Sequence, residues 1–321
     1  MLQKKPDNTL AIDLGPEAVR VIDVKIRKGQ TSINSFASQS IEAGTPETLP
    51  ERHLSALASL LTTQRFKTHQ CIAAMPTSLV VTRTVALDHN KPQTAEEQIR
   101  WTLQNCLPFD AKDLVFDFWP ISENLPTART WEVLVVATQA SVVHRYLRGM
   151  EKMKLTCAHL DVAPCAMASL IALTAANPDA MIGTVALSEN VGFFAITERQ
   201  RVLFWRPFDL PSAGKGGQNI HAHLDRVGDE ISKCVSHMVG SMHIDNMSEL
   251  LVYGHGSEDV VVTEYLKNRF HLPVRSPSPF ETLPPAGMPA DVQNALQHSV
   301  ATGYCTAVGL AIQQSGVIGH G

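Results

Sequence analysis

The sequence predicts an α/β protein of two lobes laid out on a repeated plan. Three short apolar or alternating segments followed by a helical pattern open the chain, and the same order returns after Asn177-Pro178-Asp179. The length of 321 residues agrees, since one domain commonly takes about 100–200. Identity between the halves is not evident, so the repeat is one of element order, as in a duplicated α/β design.

In the first lobe, Thr9 to Leu14, Val19 to Arg27 and Ser32 to Ser40 read as strands. A helix follows from about Glu51 to Gln64, with Leu54, Leu57, Leu60 and Leu61 on one face. Cys71 to Met75 and the alternating Leu79 to Leu87 are strands. Thr94-Ala-Glu-Glu97 is a capping box for a helix running to Cys106 and stopped at Pro108. Leu114 to Ile121 and Trp131 to Thr138 are strands joined by a Pro-bearing loop, before helix Ser141 to Met153, strand Thr156 to Leu160 and an alanine-rich helix from about Pro164 to Ala175. The second lobe reads as strands Ile182 to Leu187, Gly192 to Thr197 and Arg201 to Phe208, and a long helix from about Asn219 to Gly240. Strand Leu250 to Tyr253, helix Glu258 to Phe270, a short strand at Pro273 to Val274, a Pro-rich loop through Pro289 and a last helix to Gln313 complete it.

Composition narrows the function classes. The charged fraction of 18% is below the usual ~25%, which leaves more neutral surface for partners. The net charge of -4 is spread without long runs of one sign, which argues against nucleic acid. Pro6, Asp7 and Asn8 interrupt the place where a signal peptide needs an apolar run, and Val162 to Ala176, the most apolar stretch, is too short and Pro-bearing to span a bilayer. Six cysteines lack framework spacing and read as reduced thiols, so the expectation is a cytoplasmic protein with no direct membrane span.

Chemistry concentrates at a few turns. Asp13-Leu-Gly15 ends the first strand, where a carboxylate can hold metal-bound water and a glycine lets backbone N–H groups approach phosphate oxygens. An ordinary hairpin turn carries the same residues. Arg20 could pair with a phosphate or lie solvated in its strand. Gly254-His-Gly256, between a strand and a helix, suits an anion and a flat base or ribose, or forms a plain βα loop. The small residues of Asp161 to Leu170 and of Ser299 to Ala311 let two helices cross closely. Gly214-Lys-Gly-Gly217 lacks phosphate-loop spacing and reads as a turn. His221, His223, Cys234, His237 and His243 match no standard zinc spacing, so no metal site is expected.

Taken in order, phosphate turn, small-residue helix, second strand array, Gly-x-Gly loop and small-residue terminal helix resemble the actin-like ATPase superfamily. Within it the chain is most similar to the PilM family of type IV pilus assembly proteins, relatives of FtsA. Ala73-Ala-Met-Pro76 with Val80 to Leu87 resembles that family's Val-Pro-x-Ser strand pair. Glu97-Gln-Ile99-x-x-Thr-Leu, Leu107-Pro-Phe109 and Phe116-Asp-Phe118 resemble its small inserted subdomain. The resemblance implies an actin-like, ribonuclease H-like two-lobed fold with a first lobe over 1–176, including an insertion at about 77–138. The second lobe, over 177–321, has a reduced subdomain, and its C-terminal helix returns to the lobe interface.

The resemblance also implies a nucleotide site at Asp13, Gly15, Arg20, Gly254 and Gly256, and here the chain departs from the family pattern. The second phosphate loop, Asp-Ile-Gly in the family, aligns with Val185 to Val191 and lacks both carboxylate and glycine. Pro16 replaces a hydroxyl residue, and the segment after Phe208 is short. ATP and Mg are therefore expected to bind weakly or not at all, and with no second carboxylate no catalytic residue is assigned. The implied role is a scaffold at the cytoplasmic face of the inner membrane that binds the N-terminal tail of a PilN-like membrane protein. The implied groove lies near Val80 to Leu87 and Phe116 to Ile121, with Val81, Phe116 and Phe118 as candidate contacts and strand addition as the mode. Other pilus assembly proteins and self-association are further implied partners. An active ATPase or small-molecule kinase, with Glu189 as the acid near the second loop, is the alternative. A type II secretion module is another, and the lack of a following transmembrane helix favours a partner on a separate chain.

Overall fold

A computed structural model describes residues 8–27, 30–42, 45–104, 106–121, 129–211, 220–242, 247–283 and 301–315. The Gly214 to Gly217 turn, His243 and the part of the Pro-rich loop after Leu283 lie outside these residues. So does most of the short segment after Phe208.

The chain begins with β1 (Asn8–Leu14), β2 (Ala18–Arg27), β3 (Gln30–Ser40), α1 (Leu49–Thr63) and β4 (Gln70–Met75). An insertion of β5 (Val81–Asp88), α2 (Ala95–Leu103), β6 (Leu114–Pro120) and β7 (Thr130–Gln139) precedes α3 (Ala140–Lys152), β8 (Thr156–Val162) and α4 (Ala163–Thr174). The second half holds β9 (Ile182–Leu187), β10 (Val191–Glu198), β11 (Arg201–Asp209), α5 (Ile220–Met242), β12 (Glu249–Gly254), α6 (Val260–Phe270), β13 (Val274–Arg275) and α7 (Cys305–Ser315).

The two large sheets have one topology. The first is ordered β3-β2-β1-β4-β8 and the second β11-β10-β9-β12-β13. In each, the first three strands form an antiparallel meander and the next two join in parallel. The repeat of element order read in the sequence is therefore a repeat of tertiary plan. The insertion forms a separate antiparallel sheet, β5-β7-β6, backed by α2. The predicted capping box is present: Glu97 N–H donates to Thr94 Oγ1 at 3.2 Å, and Thr94 N–H to Glu97 Oε2 at 2.8 Å. This helix ends at Leu103, before the predicted Cys106, once Ile99 and Leu103 have been buried.

Strand periodicity divides the second sheet between two cores. Phe193, Ala195, Leu251 and Tyr253 face the first lobe, whereas Phe194, Ile196, Leu250 and Val252 face α5 and α6. Helices α4 and α7 fill the space between the two large sheets, and their apolar residues join a core that also includes β1, β2 and β4. The two helices meet at Gly309, where an added Cβ would fall 2.1 Å from the Ala166 carbonyl oxygen. At the end of α4, Glu249 accepts from Ala176 N–H at 2.6 Å and Arg275 Nη2 at 2.7 Å, while Arg275 also donates to Thr174 O at 2.8 Å. The insertion is tied across as well, through Trp119 Nε1–H donating to Val202 O at 2.6 Å.

Gly309→Val is expected to lower unfolding free energy in urea by about 1–3 kcal/mol or more through overpacking at the crossing. Gly240→Ala, in α5 with open space around it, is expected to leave stability unchanged or raise it by up to about 1 kcal/mol.

Candidate functional site

A cavity of about 260 Å³ lies between the lobes, bounded by Asp13, Gly15, Glu17, Arg20, Ser188 and Gly254 among others. Two matching hairpin turns form its walls. In the first, between β1 and β2, Gly15 N–H donates to Ala18 O at 3.1 Å. In the second, between β9 and β10, Ser188 N–H donates to Val191 O at 2.8 Å. Asp13 and Ala186 are the penultimate residues of the two equivalent strands. The carboxylate therefore stands on one side only, and an alanine methyl lines the cavity at its counterpart.

Asp13 is 5% exposed, and burial pushes its carboxyl up to about 6 against the opposing pull of Arg20. The Arg20 guanidinium lies 3.7 Å from Asp13 Oδ2. It passes beside two glycines: a Cβ on Gly303 would fall 2.8 Å from Arg20 Nε, and one on Gly15 would fall 3.2 Å from Nη1. Arg20 thus turns into the cavity and pairs with Asp13, a partner that neither sequence reading of it had named.

The first turn is held from behind by a group the sequence reading passed over. His53, on the apolar stripe of α1, is fully buried; its Nε2 is 2.8 Å from Gly15 O and its Nδ1 is 2.6 Å from Tyr146 Oη on α3. A carbonyl only accepts, so Nε2 carries the proton and Nδ1 accepts from the tyrosine hydroxyl. Burial holds the imidazole down to about 4, outweighing the Gly15 carbonyl that favours the charged form. His53 therefore works as a neutral strut. The signal in the sequence was a histidine four residues before Leu57 on a helix face that otherwise carries leucines.

Gly254 closes the far wall with φ +94°, and a Cβ there would lie 2.0 Å from Leu187 O, so only glycine fits. Its neighbour His255 donates its N–H to the same carbonyl at 2.8 Å. Gly256 also has positive φ, at +71°, but open space surrounds it and it does not line the cavity. Asp13, Gly15, Arg20 and Gly254 are thus brought together, and Gly256 is not. Glu17, two residues after Gly15, enters the cavity wall and reaches the opposite lobe: its Oε1 accepts from Glu189 N–H at 2.5 Å and Asn190 N–H at 3.3 Å. Among the described residues, no group of three or more His, Cys, Asp or Glu side chains is placed to hold a metal ion.

The candidate partner residues occupy two different places. Strands β5 and β6 lie at opposite edges of their sheet with β7 between them. Val81 lines a cleft of about 1190 Å³ against β11. Phe116 and Phe118 pack beside the α2 core, with Arg100 Cζ 5.2 Å from the Phe116 ring centroid. The alternate side chains of β6, Asp117 and Trp119, point instead away from α2, Asp117 toward the first lobe and Trp119 toward β11 and α4. Asp117 meets His159 and Leu160 of the edge strand β8 in a cavity of about 350 Å³, and Trp119 and Pro120 line one of about 570 Å³. Asp161 and Gln313 border both, and Gln313 Nε2 donates to Asp161 Oδ2 at 3.1 Å, so the two lie side by side on either side of this pair. The sequence reading did not name β8, which faces β6 across the smaller cavity, because a free sheet edge follows from strand order and not from local pattern.

The two buried titrations have opposite signs. Asp13 binds its proton more tightly folded, so stability present below pH 3.8 is lost as pH rises to about 6, by about 3 kcal/mol. His53 binds its proton less tightly folded, so stability present above pH 6.5 is lost as pH falls toward about 4. Chemical denaturation across this range is expected to show Asp13→Asn losing the first dependence and His53→Gln the second.

Comparisons with known proteins agree with this architecture. The family model for the type IV pilus assembly protein PilM matches residues 11–227. The chain is similar to a solved PilM-PilN type IV pilus biogenesis complex, with 17% identity, a TM-score of 0.78 and 97% of this chain and 99% of that chain covered. It is also similar to the cytoplasmic domain of EpsL, an inner membrane component of the Vibrio cholerae type II secretion system, at 11% identity and TM-score 0.51, over 96% and 94% of the chains. A Bacteroides thetaiotaomicron protein with an actin-like ATPase fold aligns at 10% identity and TM-score 0.51, over 93% and 99%. No curated protein matches it in sequence. The doubled sheet topology is thus the actin-like ATPase fold, and the family match, which runs from the first strand into the long helix of the second lobe, places this chain in the PilM family of type IV pilus assembly proteins.

Proposed function

We propose that this chain is a cytoplasmic scaffold of a type IV pilus or related assembly platform, holding the N-terminal tail of a PilN-like inner-membrane protein and reaching the membrane through it. Membership of the PilM family carries this reading. Lobes of 1–176 and 177–321, with the insertion at about 77–138, are the division that goes with it. Among the described residues no helix is long and apolar enough to cross a membrane, in keeping with attachment through a partner.

The groove between β6 and β8 is where an extended tail is best accommodated. Both strands are sheet edges, so each has backbone groups free to pair with an added strand. Leu160 and Trp119 supply apolar contacts, and Asp117 and Asp161 favour a basic residue on the tail.

The nucleotide reading is subordinate to this one. Four features of the interlobe cavity speak against a Mg-triphosphate there: Arg20 faces the Asp13 carboxylate, Ala186 stands at its counterpart, Pro16 has no N–H, and Glu17 takes the N–H pair of the second turn. These features support a scaffold in which ATP and Mg bind weakly or not at all, and no hydrolytic step is assigned.

Calorimetry with a synthetic peptide of the PilN-like tail tests the docking role. Wild-type chain is expected to bind, Leu160→Arg to weaken binding by about tenfold or more, and Val81→Arg, in the cleft beside β11, to bind as wild type. Loss confined to Val81→Arg would move the groove to β5, and no binding by the wild type would overturn the scaffold reading.

A further inference from the structure

We propose that Glu17 is an internal anion, seated where a phosphoryl oxygen would sit on the second-lobe turn, and that it latches the two lobes together without a ligand. The proposal rests on reading the interlobe cavity as descended from a nucleotide site.

The geometry is that of an anion seat. Two consecutive backbone N–H groups, of Glu189 and Asn190, converge on one oxygen, Glu17 Oε1, at 2.5 and 3.3 Å. Successive N–H groups in a tight turn make a concavity with partial positive charge that favours a carboxylate or phosphate oxygen. The turn's other N–H, that of Ser188, is spent within the hairpin on Val191 O, so this pair is what the second turn offers to an oxygen across the cavity. The bond joins residues 172 and 173 positions apart in the chain and connects the two equivalent hairpins directly.

Why glutamate at this position reaches follows from the first turn. Pro16 fixes its own φ and brings no N–H, and Gly15 N–H closes onto Ala18 O, so residue 17 stands at the crest of the turn, facing its counterpart. A three-bond side chain then spans the gap to the other lobe. Burial raises the Glu17 carboxyl, and the two N–H groups hold its charged form against that cost. Arg20 adds a cation in the same cavity, paired with Asp13. The cavity thus contains its own anion on the second turn and its own cation on the first carboxylate, in place of a phosphate and a bound metal.

The seat takes phosphoryl or other oxyanions once Glu17 is removed, and inorganic phosphate is the probe. In thermal unfolding of the full chain, Glu17→Ala is expected to melt below wild type. Millimolar phosphate at matched ionic strength is expected to raise its melting temperature while leaving wild type unmoved. Calorimetry is expected to give phosphate affinity at least about tenfold higher in Glu17→Ala than in wild type. Glu17→Gln keeps the shape and loses the charge, so it is expected to fall between them and serves if the alanine variant fails to fold. Equal responses in wild type and variants, or none in any, would overturn the latch. If phosphate binds Glu17→Ala and Mg-ATP binds no tighter than phosphate, the latch stands and descent from a nucleotide site falls. Tight Mg-ATP binding by wild type, unchanged by Glu17→Ala, would overturn the latch and leave that descent standing.

Discussion

Where α7 meets α4, the Gly309 backbone lies against the Ala166 carbonyl, and the two helices together occupy the gap between two five-stranded sheets. Each sheet needs one apolar face covered, and this pair covers one face of both, so the lobes share a core and do not pack as independent units. The faces of α4 then acquire different duties. Ala163 and Met167 border the interlobe cavity, while Cys165 and Ser169 border the groove shared with the insertion. Residues two apart on a helix point about 200° from one another, so a single helix separates that cavity from that groove.

The cavity is an arrangement of buried polar groups that satisfy one another. A neutral histidine braces the first turn through Gly15 O, and a tyrosine hydroxyl fixes its tautomer. The aspartate faces an arginine admitted by two glycines, and a glutamate bonds the opposite turn. Unpaired, any of these would be costly at this depth. The groove proposed for the tail is of another kind, bordered by the two strand edges β6 and β8.

Most of the secondary structure could be read locally. The leucine spacing of α1, the Thr94-Glu97 box and the alternation of β5 are determined by residues a few positions apart, and the elements fall within a few residues of expectation. The small residues of α4 and α7 marked a close crossing, and they meet. The site was legible in part. Asp13, Gly15, Arg20 and Gly254 line one cavity because turns at strand ends carry local signatures. Gly256 turned away from it, and His53, Tyr146 and Glu17 gave no motif, since their partners lie between 38 and 173 positions away in the chain.

What the sequence by itself determined is therefore the doubled α/β plan, which depends on residue type and short spacing, whereas the inserted subdomain and the departure at the second turn were read from a family resemblance. Tertiary structure alone decided that Val81 and the two phenylalanines of β6 stand on opposite edge strands of one sheet, with β7 paired between them. It also decided that Glu17 belongs to the opposite lobe's turn as much as to its own. Both outcomes rest on hydrogen bonds between segments distant in the chain, whose pairing is fixed only when the sheets assemble around α4 and α7.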